Sequence, residues 1–317
     1  MITIAQRFNH FLTRFGVRIS RSRVRKLPLL RPGVVQAKVG SARLAMPAES
    51  SIPLEYTANP DYGSQIGRLA GHLKATSGEY LAIDVGANVG DTLSIIRQAA
   101  DVPVLCVEGD PQCVGLFKEN AAQYDRVELL ESFLSDKEGI ETVQMDKEGW
   151  NTTLLPGSGE GGKTLQFRTL DSVTSGRSHP CGLLKLDVEG YEWKILSGSR
   201  MLLENDQPVI CLEYNIRHSG FPPEDFVRGI ENLRNLGYEN VMVYESQGVL
   251  LSTIALGAGW EDFLDMHHFL VSALSPVLYA DIVLFPKSKT ASFEGFLVSE
   301  RKYCRSRPRL NGSQALS

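Results

Sequence analysis

The segment Ile83-Asp84-Val85-Gly86-Ala87-Asn88-Val89-Gly90-Asp91-Thr92 leaves the chain little choice of fold. A buried apolar run reaches a tight turn and passes straight into a helix. Gly86 lets the backbone bend sharply and approach a ligand closely, and Gly90 permits close packing at the helix start. The helix N-terminus offers free N–H groups to a carboxylate or phosphate. The spacing is Gly-x-x-x-Gly. It is neither the Gly-x-Gly-x-x-Gly of dinucleotide sites nor a P-loop, which needs Gly-Lys-Ser/Thr. Taken alone, the glycine pair also fits an ordinary strand-to-helix turn. Glu108 narrows the choice. It ends a second apolar run, Val104 to Val107, 22 positions after Gly86. An acid at that place accepts hydrogen bonds from ribose hydroxyls, so the unit implies a nucleoside ligand.

The middle of the chain repeats this grammar. Apolar runs at Tyr80 to Val85, Val104 to Val107, Val127 to Leu134, Leu183 to Val188, Val209 to Tyr214 and Val241 to Tyr244 read as strands, and Asp281 to Phe285 is a candidate to close the set. Helical spacing occupies about 91–100, 112–123 and 226–236, with a lead-in helix over 65–74. Residues 140–167 alternate and carry glycine-rich turns, which predicts hairpins. Strands alternating with helices predict an α/β domain, its central sheet mostly parallel and covered by helices on both faces. That domain is expected over 61–287, between a leader, 1–60, and a tail, 288–317, much of it loose.

Charge separates the ends from the body. No acidic residue occurs from Met1 to Ala48, whereas Arg7, Arg14, Arg18, Arg21, Arg23, Arg25 and Lys26 fall there, and the tail carries Arg301, Lys302, Arg305, Arg307 and Arg309. With a net charge of −4, the body between must be acidic, which argues against a nucleic-acid-binding core. Ile4, Phe8, Phe11, Leu12 and Phe15 recur at helical spacing and predict a short amphipathic helix. Pro28, Pro32, Pro47, Pro53 and Pro60 predict irregular chain behind it. An apolar stripe flanked by arginines is a candidate for peripheral docking on an anionic membrane. The competing reading packs it on the protein's own surface. No apolar run reaches the roughly 18 residues of a membrane span, and no secretory signal pattern opens the chain. The five cysteines are scattered without a C-x-x-C pair, so buried core positions and a reducing, cytoplasmic compartment are expected.

Two further strand ends carry acids. Leu184-Lys185-Leu186-Asp187-Val188-Glu189-Gly190 places Asp187 and Glu189 at one, and Ile210-Cys211-Leu212-Glu213-Tyr214 places Glu213 at the next. In an open α/β sheet, ligands bind at that edge. Helix capping, or an ion pair with Lys185, is the plainer explanation.

Taken in order, Asp-Val-Gly-Ala-Asn-Val-Gly-Asp, Val-Glu-Gly-Asp-Pro, Leu-Ser-Asp-Lys-Glu-Gly, Arg-Thr-Leu-Asp-Ser and Leu-Lys-Leu-Asp-Val-Glu-Gly-Tyr-Glu resemble the FkbM family of methyltransferases from about Tyr80 to Tyr214. The late Ala-Asp-Ile-Val-Leu-Phe-Pro suits that family too. The resemblance implies a Rossmann-like class I methyltransferase core, S-adenosyl-L-methionine as cofactor, and methylation of a hydroxyl on a sugar, glycan or natural product. Carried over residue by residue, it gives Asp84, Gly86, Asn88 and Gly90 to the methionine end, Glu108 to the ribose and Asp136 to the neighbourhood of the adenine. One departure stands out: Gly109 and Asp110 separate Glu108 from Pro111, where the family has a Glu-Pro pair.

Methyl transfer from a sulfonium needs alignment of the nucleophile and a base for its proton. Asp187 and Glu213 are the candidate catalytic residues. His218 ranks behind them, and His267 and His268 fall in a segment, 257–270, that could form a lid. Spacing does not support a metal site. Acceptor loops are expected at Trp150 to Thr153 and about 246–278. Two other classes stay open, a nucleotide-sugar or NAD-dependent enzyme and a non-catalytic nucleoside-binding or interaction protein on the same fold.

Overall fold

The computed structural model describes residues 17–20, 23–26, 28–148, 151–155, 162–216, 219–245, 247–272 and 279–307. The leader holds an antiparallel pair, β1 (Val17–Ser20) and β2 (Arg23–Lys26). The stripe from Ile4 to Phe15 lies outside the described residues. Behind the pair, β3 (Leu29–Arg31), β4 (Val34–Val39) and β5 (Ala42–Pro47) form a three-stranded antiparallel sheet, and a helix follows over Ile52–Ala58. The expectation of irregular chain here is corrected. Val35, Ala37 and Val39 alternate inward along β4 and join Leu44, Met46 and Tyr56 in one cluster with Val89 and Leu116 of the main body. The prolines sit at element ends and at the first turn of the helix, where a missing N–H costs nothing.

The main sheet contains β6 (Leu81–Val85), β7 (Val104–Glu108), β8 (Val127–Glu131), β13 (Cys181–Leu186), β14 (Val209–Tyr214), β15 (Tyr238–Tyr244), β16 (Leu250–Ala255) and β17 (Ala280–Pro286). Its order is β16-β15-β17-β14-β13-β6-β7-β8. Strands β14, β13, β6, β7 and β8 pair in parallel, and β17 is wedged antiparallel between β14 and β15. Both faces are buried, as the near-continuous apolar strands require. Ile83, Leu105, Leu184 and Ile210 point to one core, and Ala82, Cys106, Leu183 and Val209 to the other. Cys106, Cys113, Cys181 and Cys211 are buried and unbridged.

The hairpins expected in 140–167 are present as β10 (Gly139–Glu148), β11 (Asn151–Leu155) and β12 (Lys163–Arg168), joined in parallel to the two-residue β9 (Phe133–Leu134). Helix Pro223–Asn235 shows the local logic of the covering layer. Proline and two acids occupy its first turn, Arg234 its last, and Phe226, Ile230 and Leu233 face the core.

Two other expectations change. The tail is not loose up to Arg307: helix Thr290–Ser306 packs against helix Ser64–Ser77. The candidate lid is helix Trp260–Val271, whose Phe263 and Leu270 belong to the core. His267 is buried there, sharing a hydrogen bond of 2.9 Å with the Tyr214 hydroxyl. It belongs to the packing of that layer. His218 and Trp150 lie outside the described residues.

Candidate active site

From β6 the chain runs by way of a helix to β7 and by another to β8 on one side, whereas β13 lies on the other side of β6. Connections diverge between β6 and β13, and a crevice opens there at the carboxyl ends of the parallel strands. Gly86, Asn88, Glu108, Asp187 and Glu213 all line this cleft. Gly86 has φ 78°, and a Cβ on it would stand 1.9 Å from the Asp187 carbonyl oxygen. Only a glycine lets the turns after β6 and β13 approach so closely.

Glu108 points both carboxylate oxygens at backbone. Asn88 N–H donates to Oε2 at 2.8 Å and Asp110 N–H to Oε1 at 2.7 Å. Burial pushes its carboxyl upward, and these donors pull it back. The unusual Gly109-Asp110 insertion has a physical reason. A Cβ at Gly109 would meet the Phe133 ring at 2.6 Å. Asp110 caps the next helix by accepting from Gln112 N–H, leaving Pro111 in the first turn. Asp110 also accepts from the Thr152 hydroxyl at 2.8 Å, tying β11 to the cleft.

Three expected cofactor residues are placed otherwise. Asp84 is fully buried beneath the cleft, 3.2 Å from Lys185 Nζ. Gly90 caps helix Asp91–Ala99 and packs on Phe117 without lining the cleft. Asp136 is exposed and off the cleft lining; it accepts from the Ser135 hydroxyl and lies 3.9 Å from Lys194 Nζ. The strand breaks after β8, so Ser132, Phe133 and Leu134 form the wall there.

Alternation along the strands explains the other wall. Asp84 on β6, Lys185 and Asp187 on and just past β13, Glu213 on β14 and Asp281 on β17 all fall on one face of the sheet, the face of Ala82, Leu183, Cys211 and Val283. Lys185 pairs in register with Asp84, and Glu213 with Asp281. Because β17 is antiparallel, its first residues reach the edge where the parallel strands end. Lys185 Nζ also lies 3.3 Å from Asp187 and donates to the Gly86 carbonyl at 3.4 Å. Burial opposes its charge, but Asp187, Asp84 and Asp91 outweigh burial and hold the ammonium protonated. Glu213 is pushed well above the carboxylate range, first by burial, then by Asp187, Glu189 and Asp281.

Sequence reading passed over several wall residues. Tyr56 and Tyr62 come from the N-terminal layer, and Gln65, Tyr279 and Asp281 also face the cleft. Tyr56 donates to Asp91 at 2.9 Å, and Gln65 Nε2 donates to Asp281 at 3.3 Å. Asp281 had a signal, an acid opening an otherwise apolar strand; the tyrosines had none. Thr152 and Leu154 line the cleft near the first expected acceptor loop. Among the described lining residues, 246–278 contributes none.

Residues 84–239 match the methyltransferase FkbM domain. The chain carries an FkbM methyltransferase domain. Its limits enclose Gly86, Glu108, Asp187 and Glu213, and leave Tyr56, Tyr62, Gln65, Tyr279 and Asp281 outside. A crystal structure of methyltransferase FkbM from Methylobacillus flagellatus KT is 14% identical, with TM-score 0.37, covering 51% of this chain and 39% of that one. A TehB-like SAM-dependent methyltransferase from Corynebacterium glutamicum ATCC 13032 is 12% identical, TM-score 0.35, over 69% of this chain and 88% of that one. Precorrin-6y C5,15-methyltransferase from Geobacter metallireducens GS-15 is 11% identical, TM-score 0.35, over 69% and 86%. No curated protein matches the chain in sequence. The mostly parallel sheet, with one reversed strand, β17, and helices on both faces, is Rossmann-like.

Proposed function

We propose that this FkbM protein is an S-adenosyl-L-methionine-dependent O-methyltransferase whose acceptor is a hydroxyl of a sugar, glycan or natural product. The observation that carries the reading is the cleft at the β6/β13 divergence, with a ribose-type acid on one wall and a row of carboxylates on the other. The cleft fits the cofactor. Gly86 leaves a cradle that a Cβ would fill, and Asn88 Oδ1 is buried there without a hydrogen-bond partner. Glu108 keeps lone pairs beyond the two that hold backbone, enough to accept from ribose hydroxyls.

When bound, S-adenosylmethionine supplies a methyl group already activated by its sulfonium. The chain has to orient a hydroxyl and take up its proton. Asp187 and Glu213 serve the transfer step or orient the acceptor from neighbouring strand ends, and the tyrosines of the outer wall exclude water from the cleft. Among the described lining residues Lys185 is the sole cation, and it is held by Asp84 and Asp187. An acidic cleft of this kind suits a neutral acceptor and repels nucleic acid.

Binding of tritiated S-adenosylmethionine, followed by transfer to glycan and small-metabolite extracts, tests the proposal. Asp187→Asn and Glu213→Gln should each lower turnover far more than cofactor affinity. Wild-type turnover in both would make these carboxylates structural. Binding with no transfer to any extract would favour the interaction-protein reading.

A further inference from the structure

We propose that Asp281, contributed by the antiparallel strand β17, is the group that receives the acceptor's proton, with Glu213 opposite it on the ladder. The inference rests on the O-methyltransferase reading and allots a role within it.

The argument begins with an arrangement that folding alone disfavours. Like charges directly opposite each other on an antiparallel ladder repel. Glu213 and Asp281 are ladder partners, share a face of the sheet and line the same cleft. Lys185, the nearby cation, is engaged by Asp84 and Asp187 instead. Two carboxyl groups so placed oppose each other's ionisation, and Asp281 is among the charges that raise Glu213.

The surroundings distinguish the two. Asp187 is set apart by its ion pair with Lys185 at 3.3 Å. Glu213 is lifted by burial and by the acids Asp187, Glu189 and Asp281, whereas Asp281 has Lys185 and Gln65 near it. Asp281 is faced by Asp187 and Lys185 from β13, Glu213 from β14, Glu245 at the end of β15, and Gln65 from helix Ser64–Ser77. Burial raises its carboxyl to about 7, Asp187 and Glu245 add to the rise, and Lys185 restrains it. A base poised near the working pH combines the ionised form with useful proton affinity. A pair whose proton affinities are pushed apart defines the acid and the base. Gln65 steadies Asp281 through Nε2.

In the step, a lone pair of the acceptor oxygen forms the new O–CH3 bond as the S–CH3 bond breaks. That bond's electron pair stays on sulfur as a neutral thioether. The hydroxyl proton passes to the Asp281 carboxylate and from there to solvent. Asp281 lies beyond residues 84–239, so this chain completes the site with a residue outside the matched domain.

The test has two arms. In protein labelled with 13C at aspartate Cγ, without cofactor, carboxyl NMR from pH 5 to 9 should show a resonance titrating near neutrality that is absent in Asp281→Asn. This arm needs no acceptor. With the acceptor found above, the pH profile of kcat should show an acid limb following the same ionisation. Asp281→Asn still accepts from Gln65 but should lose the limb and lower kcat about 100-fold or more, with the KM for S-adenosylmethionine unchanged. Glu213→Gln should cost less, and Asp281→Glu should restore part of the rate. An Asp281 resonance in the ordinary carboxylate range overturns the proposal. So does an Asp281→Asn enzyme that keeps both rate and limb. Failure to bind S-adenosylmethionine is a different result: it removes the methyltransferase reading, and this proposal with it.

Discussion

At the scale of single residues, the cleft is held by atoms that do two things at once. Glu108 fixes the glycine turn through Asn88 N–H and faces the proposed ribose position. Glu108→Ala should therefore weaken S-adenosylmethionine binding by about 1–3 kcal/mol, the range for hydrogen bonds to a charged group. Calorimetry showing unchanged affinity in a folded variant would take Glu108 out of the site. Gly86→Ala should lose about 2–4 kcal/mol of stability, from steric overlap and the left-handed backbone together, as read by urea denaturation. Glu192 makes a different prediction. It is buried, accepts from Val188 N–H, and burial raises its carboxyl to about 7. A carboxyl raised in the folded state favours folding below its unfolded value of about 4.3 and loses that advantage as pH climbs through about 7. Glu192→Gln should gain stability relative to wild type between pH 5 and pH 8, on the order of 2 kcal/mol. Equal urea midpoints shifts at both pH values would show that the group does not titrate there. Gly86, Glu108, Asp187 and Glu213 were legible in the sequence because strand ends and glycine turns have fixed offsets. Asp136 does not line the cleft, since the chain breaks at Ser132 and the wall there is Phe133 and Leu134. Tyr56 and Tyr62 were silent, because nothing local marks a residue that reaches a distant cleft.

At the scale of elements, the strands of the main sheet were readable because both faces are buried and their runs are continuous. Strand β16 was not, as only one of its residues, Ile254, is buried. The N-terminal sheet was missed for another reason: basic composition and frequent prolines look like a solvated arm until β4 shows its alternation. The C-terminal helix was missed because its burial is confined to Phe296 and Glu300. That helix is anchored by charge. Arg68 grips the fully buried Glu300 through two nitrogens at 2.6 and 2.8 Å and stacks on Tyr303 at 3.7 Å. Removing one partner of a buried pair leaves the other unpaired. Glu300→Ala should cost about 2–3 kcal/mol, less than a fully buried pair because Arg68 is partly exposed. Urea unfolding measures it. Since Arg68 shares its helix with Gln65, the same variant should also disturb the Asp281 contact, seen as a shifted Asp281 carboxyl resonance.

At the scale of the whole molecule, basic ends flank an acidic body. Among the described residues no helix is long and apolar enough to cross a membrane. We propose peripheral docking for the leader, from the stripe Ile4, Phe8, Phe11, Leu12 and Phe15 beside its arginines. Basic residues near an anionic leaflet contribute on the order of 1 kcal/mol each. The full chain should float with anionic liposomes, less so at high salt, and a chain lacking residues 1–27 should not. Equal flotation of the two would sink the idea. The cut must fall before Pro28, because β3 to β5 and helix Ile52–Ala58 pack on the body and reach the cleft.

The hydrogen bond from Gln65 to Asp281 spans 216 residues, and the grip of Arg68 on Glu300 spans 232. The first contact steadies a residue of the cleft wall, and the second fixes the helix that carries Gln65. On a ribosome adding roughly 5–20 residues per second, the glycine turn and Glu108 emerge on the order of ten seconds or more ahead of Asp281. Asp281 emerges only after β14 and β15, the two strands between which β17 is inserted. A chain cut short of β17 lacks the residue proposed to take the acceptor's proton, so it is expected to fail in turnover whatever it binds.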